Sequence, residues 1–353
     1  MNAWLRAAVS KLSSDQLRSS DTHLHKLDIP GLPGIDVYLK DESTHPTGSL
    51  KHRLARSLFL HAICSGKVRE GTPVVEASSG STAVSEAYFA KLLGLPFTAV
   101  MPRSTASKKI EQIELLGGRC HFVDHGAEVY AHAQRLARES DGHYMDQFTY
   151  AERATDWRGN NNIAESIFRQ MSEEPHPLPH AIVMGAGTGG TTATLGRYIR
   201  YRGFATRMVA VDPEHSVFYD SFHRADRSLT SVQCSRIEGI GRPQVEPSFL
   251  PEVIDEMLKV PDAASIACLY WLERLIGRRA GGSTGTNLWG VLQVARQMQA
   301  HGIRGSIVTL MCDSGERYLD TYYDRDWVAR HIGDIAPYAE RLDPLFQPTP
   351  RRA

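Results

Sequence analysis

The first residue that could do chemistry is a lysine placed just after a turn. Lys51 lies near the start of the predicted helix 50–60, and Arg53 follows two positions later. Thr47 and Ser49 come just before this helix and are suitable N-caps. A lysine close to another cation and to the positive end of a helix gives up its proton more readily, and the unprotonated amine can form a Schiff base with an aldehyde. On the local sequence alone, an ordinary solvated lysine is the simpler interpretation.

A second stretch combines small and hydroxyl residues between a predicted strand (72–77) and a predicted helix (82–93). Small side chains let a ligand approach the main chain, and the N-terminus of a helix favours an anion such as a carboxylate. A plain helix cap is the alternative interpretation, and the residue types alone do not decide between the two. The stretch consists of Ser78, Ser79, Gly80, Ser81 and Thr82.

A third stretch, rich in glycine and threonine, follows the predicted strand 181–184. Its main-chain amides and hydroxyls suit a phosphate group, and the density of hydroxyls favours a terminal phosphate over a pyrophosphate. The stretch also matches the pattern G-x-G-x-x-G, and Asp212 lies about twenty residues further on, so an NAD-binding domain is the alternative. The local pattern leaves both open. The residues are Gly187, Thr188, Gly189, Gly190 and Thr191, preceded by Gly185 as the first glycine of the pattern.

Two further polar residues lie in loops that could reach a ligand. Ser314 follows the predicted strand 306–311, and its hydroxyl could bond to a heterocycle nitrogen. Gln147 offers a side-chain amide near the expected domain junction. A structural turn explains Ser314 equally well, so this serine does not identify a function by itself.

The predicted elements that carry these residues alternate between strand and helix. One series runs from a strand at 35–40 to a helix at 127–139, and another from a strand at 181–184 to a strand at 306–311. This alternation is typical of parallel sheets covered by helices, the α/β class. Open sheets of this class bind ligands beyond the carboxyl ends of their strands. We therefore expect two open three-layer α/β domains with parallel-rich sheets and a ligand between them.

The composition argues against several other classes of protein. The 353 residues are 42% hydrophobic and 23% charged, with a formal net charge of zero at pH 7. Balanced charge argues against a nucleic-acid partner, and no apolar run suits a membrane span or a signal peptide. The five cysteines are widely spaced and include no C-x-x-C pair. We expect a cytoplasmic protein with reduced thiols and no metal site.

Taken together, these motifs resemble the fold-type II pyridoxal-phosphate enzymes of the cysteine synthase and cystathionine β-synthase family, whose fold is like that of the tryptophan synthase β subunit. The resemblance covers residues 20–325, with the motifs in the family's order. It implies pyridoxal 5′-phosphate as the cofactor and Lys51, in Pro-Thr-Gly-Ser-Leu-Lys, as the Schiff-base lysine. Because four separated motifs agree, an NAD-dependent dehydrogenase becomes a remote alternative.

The resemblance also implies roles for the other candidates. Gly187–Thr191 would hold the cofactor phosphate, Ser314 would meet the pyridine nitrogen, and Ser81 would contact the cofactor. The substrate would be bound by Ser78, Ser79, Gly80, Thr82 and Gln147, which grip its carboxylate, and by the loop at Gly239, near the active face of the cofactor.

Departures from the family pattern narrow the expected activity. Ser81 replaces the family's asparagine, His52 replaces the usual aspartate after the lysine, and Arg242 stands where synthases have a small residue. The segment 153–162 also differs from the synthases. The continuation of the lysine motif, Lys-His-Arg-Leu-Ala-Arg, looks closest to the bacterial L-cysteine desulfhydrase branch. This implies α,β-elimination of L-cysteine to pyruvate, ammonia and hydrogen sulfide, with β-replacement on O-acetylserine or serine as the alternative.

The resemblance further implies a domain organisation. Residues 1–45 and 155–335 would form a larger domain that binds the cofactor phosphate, and residues 46–154 a smaller, mobile domain that carries the substrate loop. The proline-rich tail at 338–353 is expected to be poorly ordered. A homodimer is implied by the resemblance alone.

Overall fold

The computed structural model describes residues 3–18, 21–105 and 107–347. None of the helices within these ranges has both the length and the apolar character that crossing a lipid bilayer requires. The strands are β1 (His23–Leu27), β2 (Ile35–Asp41), β3 (Val74–Ala77), β4 (Phe97–Pro102), β5 (Arg119–Val123), β6 (His143–Tyr144), β7 (Ala181–Gly185), β8 (Arg207–Pro213), β9 (Glu256–Val260) and β10 (Gly305–Met311). The helices are α1 (Ala3–Leu17), α2 (Lys51–Cys64), α3 (Ser81–Leu93), α4 (Ser107–Leu115), α5 (Val129–Glu139), α6 (Gln147–Ala154), α7 (Ile163–Met171), α8 (Gly190–Arg202), α9 (Phe218–Arg224), α10 (Asp262–Ile276), α11 (Gly282–Ala300), α12 (Arg325–His331) and α13 (Ala336–Leu342).

The chain divides into two compact units, each with its own sheet. The smaller unit takes the described residues of 1–21 and 45–156, and the larger unit takes those of 22–44 and 157–353. Both sheets are covered by helices and are parallel throughout, except for one edge strand of the larger unit. The α/β architecture with parallel-rich sheets predicted from the sequence is therefore confirmed.

The smaller unit is built on a four-stranded parallel sheet in the order β5-β4-β3-β6. All four residues of β3 are buried, as expected of a strand covered on both faces. Helices α2 and α3 pack together in a core that includes Leu58, Phe59 and Phe89. The carboxyl end of β3 leads directly into the loop 78–82, where parallel sheets commonly bind ligands.

Helix α1 belongs to the smaller unit, which corrects the predicted domain boundary. The sequence-based division placed residues 1–45 in the larger domain. In the structure Ala8 and Leu12 are buried in the same core as Leu54 and Phe59. Burying this apolar face of α1 against α2 stabilises the smaller unit, so the chain enters the larger unit only after residue 21.

The larger unit is built on a six-stranded sheet in the order β1-β2-β10-β7-β8-β9. The central strand β10 is buried at all seven positions, and α10 and α11 pack together above a core that contains Trp271, Leu288 and Trp289. Strands β7 and β10 are parallel neighbours. Their carboxyl ends lead to Gly187–Thr191 and to Ser314, so the sheet presents both predicted cofactor loops at the same edge.

The expectation of a poorly ordered tail is wrong for the part that the structure describes. Helix α13 begins at Ala336, and a 3-10 turn follows it. Leu342 is only 1% exposed, and the ring of Tyr338 meets that of Trp289 edge to face, with centroids 5.4 Å apart. The apolar side chains dock this segment despite its prolines. Residues 348–353 lie outside the described ranges.

Candidate active site

Lys51 is the first residue of α2, at the end of the helix where main-chain amides carry partial positive charge. The prediction that Thr47 or Ser49 caps this helix is wrong, because Leu50 occupies the cap position and its side chain has no acceptor. The Ser49 hydroxyl still accepts a hydrogen bond from the Lys51 amide at 3.3 Å. The hydroxyl of Thr47 points elsewhere and bonds to the ring of His52 at 3.2 Å.

The loop 78–82 joins β3 to the N-terminus of α3, with Gly80 in the cap position. Gly80 provides no side-chain cap, so the alternative of a plain helix cap does not account for the hydroxyls in this loop. The main-chain amide of Gly80 donates to the Ser78 hydroxyl at 3.3 Å, and Ser78, Ser79 and Ser81 are partly exposed. The loop thus offers hydroxyls and main-chain amides to an anion.

Two residues predicted separately, Thr82 and Gln147, meet in the structure. The buried Thr82 hydroxyl donates to Gln147 Oε1 at 2.7 Å, and Gln147 is the first residue of α6. The carbonyl end of the Gln147 amide is therefore engaged, which leaves its NH₂ group as the end that can donate to a bound carboxylate.

A buried carboxylate that the sequence analysis missed supports this pair. Glu76 Oε2 accepts from the main-chain N–H of Gln147 at 3.1 Å, and Oε1 accepts from the main-chain N–H of Ala77 at 2.6 Å. Glu76 is the third residue of β3, immediately before the loop 78–82. An acidic residue within an otherwise apolar strand was the signal in the sequence, because such a residue is rarely buried without a specific partner.

A second buried carboxyl group, that of Glu86 on α3, lies beside Glu76. Burial raises the pKa of both groups, and their mutual repulsion adds to the shift for Glu86. The two main-chain hydrogen bonds favour the charged form of Glu76, so we assign the proton of the pair to Glu86.

Replacing Glu86 by leucine is expected to raise the free energy of unfolding by about 1–3 kcal/mol at pH 8. A carboxyl whose pKa is raised by folding favours the folded state below its unfolded pKa, about 4.3, and this contribution is lost as the pH rises towards the folded pKa. The gain should therefore shrink towards pH 5. Urea unfolding between pH 5 and 8 measures it, with Glu86→Gln as the control that removes ionisation but keeps shape. An unchanged pH slope in both variants would contradict the assignment.

The loop after β7 in the larger unit requires glycine at two positions. A Cβ on Gly187 would lie 2.2 Å from the carbonyl oxygen of Gly239. Gly189 has φ +91°, and a Cβ there would lie 2.5 Å from the carbonyl oxygen of Ser248. The Thr188 hydroxyl accepts from the Gly190 amide at 3.2 Å. These contacts hold the loop in a closed turn at the N-terminus of α8.

The loop at Gly239, predicted to lie near the cofactor, is adjacent to this turn. Besides the close approach to Gly187, the Gly241 amide donates to the carbonyl of Ala186 at 2.9 Å. Arg242, which stands where synthases have a small residue, pairs through Nε with the buried carboxylate of Glu246 at 2.8 Å. Its guanidinium therefore contributes to the structure of this loop.

Asn287 on α11 joins the two strands that carry the predicted cofactor loops, and the sequence analysis missed it. Its Oδ1 accepts from the Gly185 amide at 2.7 Å, and its Nδ2 donates to the carbonyl of Leu310 at 3.1 Å. Asn287 is fully buried, so it fixes the ends of β7 and β10 relative to each other. No local pattern marks it, because both partners are distant in the sequence.

Ser314 caps a 3-10 turn just beyond β10. Its hydroxyl accepts from the Glu316 amide at 3.4 Å, and the neighbouring Asp313 accepts from the hydroxyl of Tyr318 at 2.7 Å. Because the Ser314 oxygen acts as an acceptor within the protein, its proton can be donated to a ligand nitrogen.

Comparison with known proteins identifies the family. Residues 17–313 match the family model described as "Pyridoxal-phosphate dependent enzyme", so the chain belongs to this family and pyridoxal 5′-phosphate is its cofactor. The chain is 58% identical over 344 residues to L-cysteine desulfhydrase Cds1 of Mycobacterium tuberculosis (strain H37Ra), covering 96% of this chain and 94% of that protein. It is also 29% identical to a cysteine synthase of Aquifex aeolicus (strain VF5), covering 85% and 87% of the two chains. Among solved structures, O-ureido-L-serine synthase matches with a TM-score of 0.75 and 26% identity, covering 86% of this chain and 92% of the other.

The geometry of the larger unit fits this cofactor. A turn of small residues at a helix N-terminus suits a phosphate. Gly187 and Gly189 form such a turn and lie close to neighbouring main chain. Gly187 and Thr191 stay partly exposed, so the turn is accessible to a ligand. A pyridine nitrogen needs a hydrogen-bond donor, and Ser314 can provide one. The predicted family and cofactor are thus confirmed, while the roles of individual residues remain predictions.

Proposed function

We propose that this protein is a pyridoxal-phosphate-dependent L-cysteine desulfhydrase, a carbon–sulfur lyase. It would convert L-cysteine and water into pyruvate, ammonia and hydrogen sulfide. The observation that carries this proposal is the 58% identity to the mycobacterial L-cysteine desulfhydrase over 96% of the chain. The similarity to cysteine synthase is weaker, at 29%.

The proposal assigns several residues to the pyridoxal 5′-phosphate cofactor. Lys51 would hold the cofactor covalently through its amine, and Gly187–Thr191 would hold the phosphate. Ser314 would donate to the ring nitrogen, and Ser81 would contact the ring. When bound, the cofactor supplies an electron sink that stabilises the negative charge developing at the substrate Cα.

The side chains of the smaller unit would bind the amino acid and move its proton. The carboxylate would be held by Ser78, Ser79 and the main chain of Gly80, together with the NH₂ group of Gln147, whose other end Thr82 fixes. The Lys51 amine, once free, would take the proton from the substrate Cα. In the larger unit, the loop at Gly239 would flank the reacting side chain.

The side chains of the site favour loss of a β-substituent, a step that elimination and replacement share. Ser314 is a neutral partner, so the ring nitrogen need not be protonated and the electron sink is moderate. A moderate sink favours rapid loss of a β-substituent over a long-lived carbanion. What favours elimination over replacement is the higher identity to the desulfhydrase than to the cysteine synthase, together with the departures from the synthase pattern at Ser81 and Arg242. Ser81 replaces the asparagine typical of the synthases and leaves a smaller side chain at the loop.

The product formed from L-cysteine alone tests the proposal. Purified protein loaded with pyridoxal 5′-phosphate should release pyruvate and sulfide in equal amounts without a second substrate. The comparison reaction contains O-acetylserine and sulfide. Rapid cysteine formation there, with little pyruvate from L-cysteine alone, would establish the β-replacement alternative instead.

The proposal includes a homodimer, which the resemblance to the cysteine synthase family supports, and a cytoplasmic location, which the widely spaced cysteines support. Light scattering coupled to size-exclusion chromatography measures the molar mass and therefore tests the homodimer. A mass near that of one 39.2 kDa chain would contradict it.

A further inference from the structure

Three helices of the smaller unit are joined by a buried chain of hydrogen bonds. The Ser85 hydroxyl on α3 lies 2.9 Å from that of Thr47, which lies 3.2 Å from His52 Nδ1 on α2. His52 Nε2 lies 3.0 Å from Asp15 Oδ2 on α1. All four residues are buried, and the most exposed of them is 8% exposed. We call the chain Ser85–Thr47–His52–Asp15 the polar brace.

The protonation states give every bond of the polar brace one direction. Burial raises the pKa of the Asp15 carboxyl, but hydrogen bonds from His52 and Tyr88 outweigh burial and hold this pKa below its usual value. Asp15 is therefore a carboxylate that accepts hydrogen bonds. Burial, helped by the nearby His45 and Arg56, lowers the pKa of His52 despite the raising effect of Asp15, so we take His52 as neutral. His52 Nε2 therefore donates to Asp15, and Nδ1 accepts from Thr47, which accepts from Ser85.

The ring of His52 is also held in place by its neighbours. Its centroid lies 4.7 Å from that of Phe89, 5.3 Å from that of Tyr88 and 5.1 Å from that of His45, which stacks on it. A buried ring packed on several sides and bonded through both nitrogens keeps a single orientation.

The polar brace connects the two stretches of the smaller unit that carry the predicted chemistry. His52 directly follows Lys51, and Thr47 lies in the turn that precedes it. Ser85 lies one helical turn after Ser81 at the start of α3. The hydrogen bonds therefore tie the first turn of α2 to the first turn of α3, and α1 anchors both through Asp15.

We propose that His52, through the polar brace, is the positioning residue for Lys51 and fixes the lysine relative to the carboxylate-binding loop 78–82. The inference rests on the proposed function for the roles of Lys51 and of the loop 78–82 and for L-cysteine as the assay substrate. It explains why a histidine follows the lysine in this chain and why α1 packs with the smaller unit. A purely structural role would lower stability without a selective effect on turnover.

The test compares His52→Gln and Thr47→Val, which break the polar brace, with Tyr88→Phe as the matched control. Tyr88 donates to the other oxygen of Asp15 at 2.6 Å, so its replacement keeps all three bonds of the brace.

In the cofactor-loaded protein we expect His52→Gln and Thr47→Val to lower kcat for L-cysteine by about tenfold or more, with KM changed less than about twofold, because small misplacements of reacting groups are costly. Tyr88→Phe should keep kcat while lowering the unfolding temperature. The proposal is wrong if folded His52→Gln and Thr47→Val keep the wild-type kcat. It is also wrong if all three variants lose activity only in proportion to their loss of folded protein.

Two further measurements do not depend on the substrate. Visible absorbance should develop more slowly when cofactor-free His52→Gln is mixed with pyridoxal 5′-phosphate than it does with wild type. Histidine ¹⁵N NMR of the wild type, with His52 assigned from the spectrum of the variant, should show a neutral ring protonated at Nε2 between pH 6 and 8. A His52 ring that is cationic or protonated at Nδ1 would contradict the hydrogen bonds of the polar brace. Unchanged kinetics of cofactor attachment in His52→Gln would contradict its role in positioning Lys51, even if L-cysteine is not the substrate.

Discussion

Replacing Lys51 by alanine is expected to abolish the visible absorbance of the bound cofactor and to lower the rate of sulfide release from L-cysteine by at least about 10³-fold. The proposed roles of the lysine explain the size of this effect. Its amine both attaches the cofactor and takes the proton from the substrate Cα, and positioned proton transfer alone contributes about 10²–10⁴-fold. Absorbance spectra and a sulfide assay measure the two effects on the same sample.

Lys67→Ala provides the matched control for this experiment. Lys67 is an exposed lysine just beyond α2 in the same unit, so its loss should leave both the spectrum and the rate unchanged. Residual visible absorbance in Lys51→Ala, comparable to that of the control, would show that another amine holds the cofactor.

Replacing Gly187 by alanine is expected to weaken the binding of pyridoxal 5′-phosphate by about 10–100-fold. The new Cβ would lie 2.2 Å from the carbonyl oxygen of Gly239, a distance that real contacts do not tolerate. One of the two loops must move, and overpacking of this kind costs about 1–3 kcal/mol. Because 1.4 kcal/mol corresponds to a factor of ten in affinity, the loss should be visible in an equilibrium titration with the cofactor.

Gly159→Ala is the control for added volume at a glycine of the same unit. A Cβ at position 159 meets no atom within 4 Å, so this variant should bind the cofactor like the wild type. If Gly187→Ala also binds with wild-type affinity while remaining folded, the loop after β7 does not hold the phosphate.

The sequence predicts the central strands and the loops that follow them, because their signals are local. Strands β7 and β10 are buried along their whole length, which gives continuous apolar runs. The edge strands β1 and β9 were missed because their polar residues interrupt such runs. Glycine- and hydroxyl-rich loops at strand ends are equally local, so Gly187–Thr191 and the loop 78–82 could be recognised without coordinates.

What the sequence does not predict depends on contacts between distant residues. Asn287 bonds to main chain at positions 185 and 310, and Asp15 bonds to His52 across 37 positions. Neither contact leaves a pattern within a window of a few residues. The segment at 338–347 did have a local signal, because Tyr338 and Leu342 share the four-residue spacing of a helix, but the prolines of the tail mask this spacing.

The central claim is that Lys51 carries the pyridoxal cofactor, and the most direct measurement is chemical trapping. The cofactor-loaded protein is reduced with borohydride, digested and mapped by mass spectrometry. We predict one pyridoxyl modification, on the peptide containing Lys51. A pyridoxyl group on a different lysine, or on no lysine, would contradict the account.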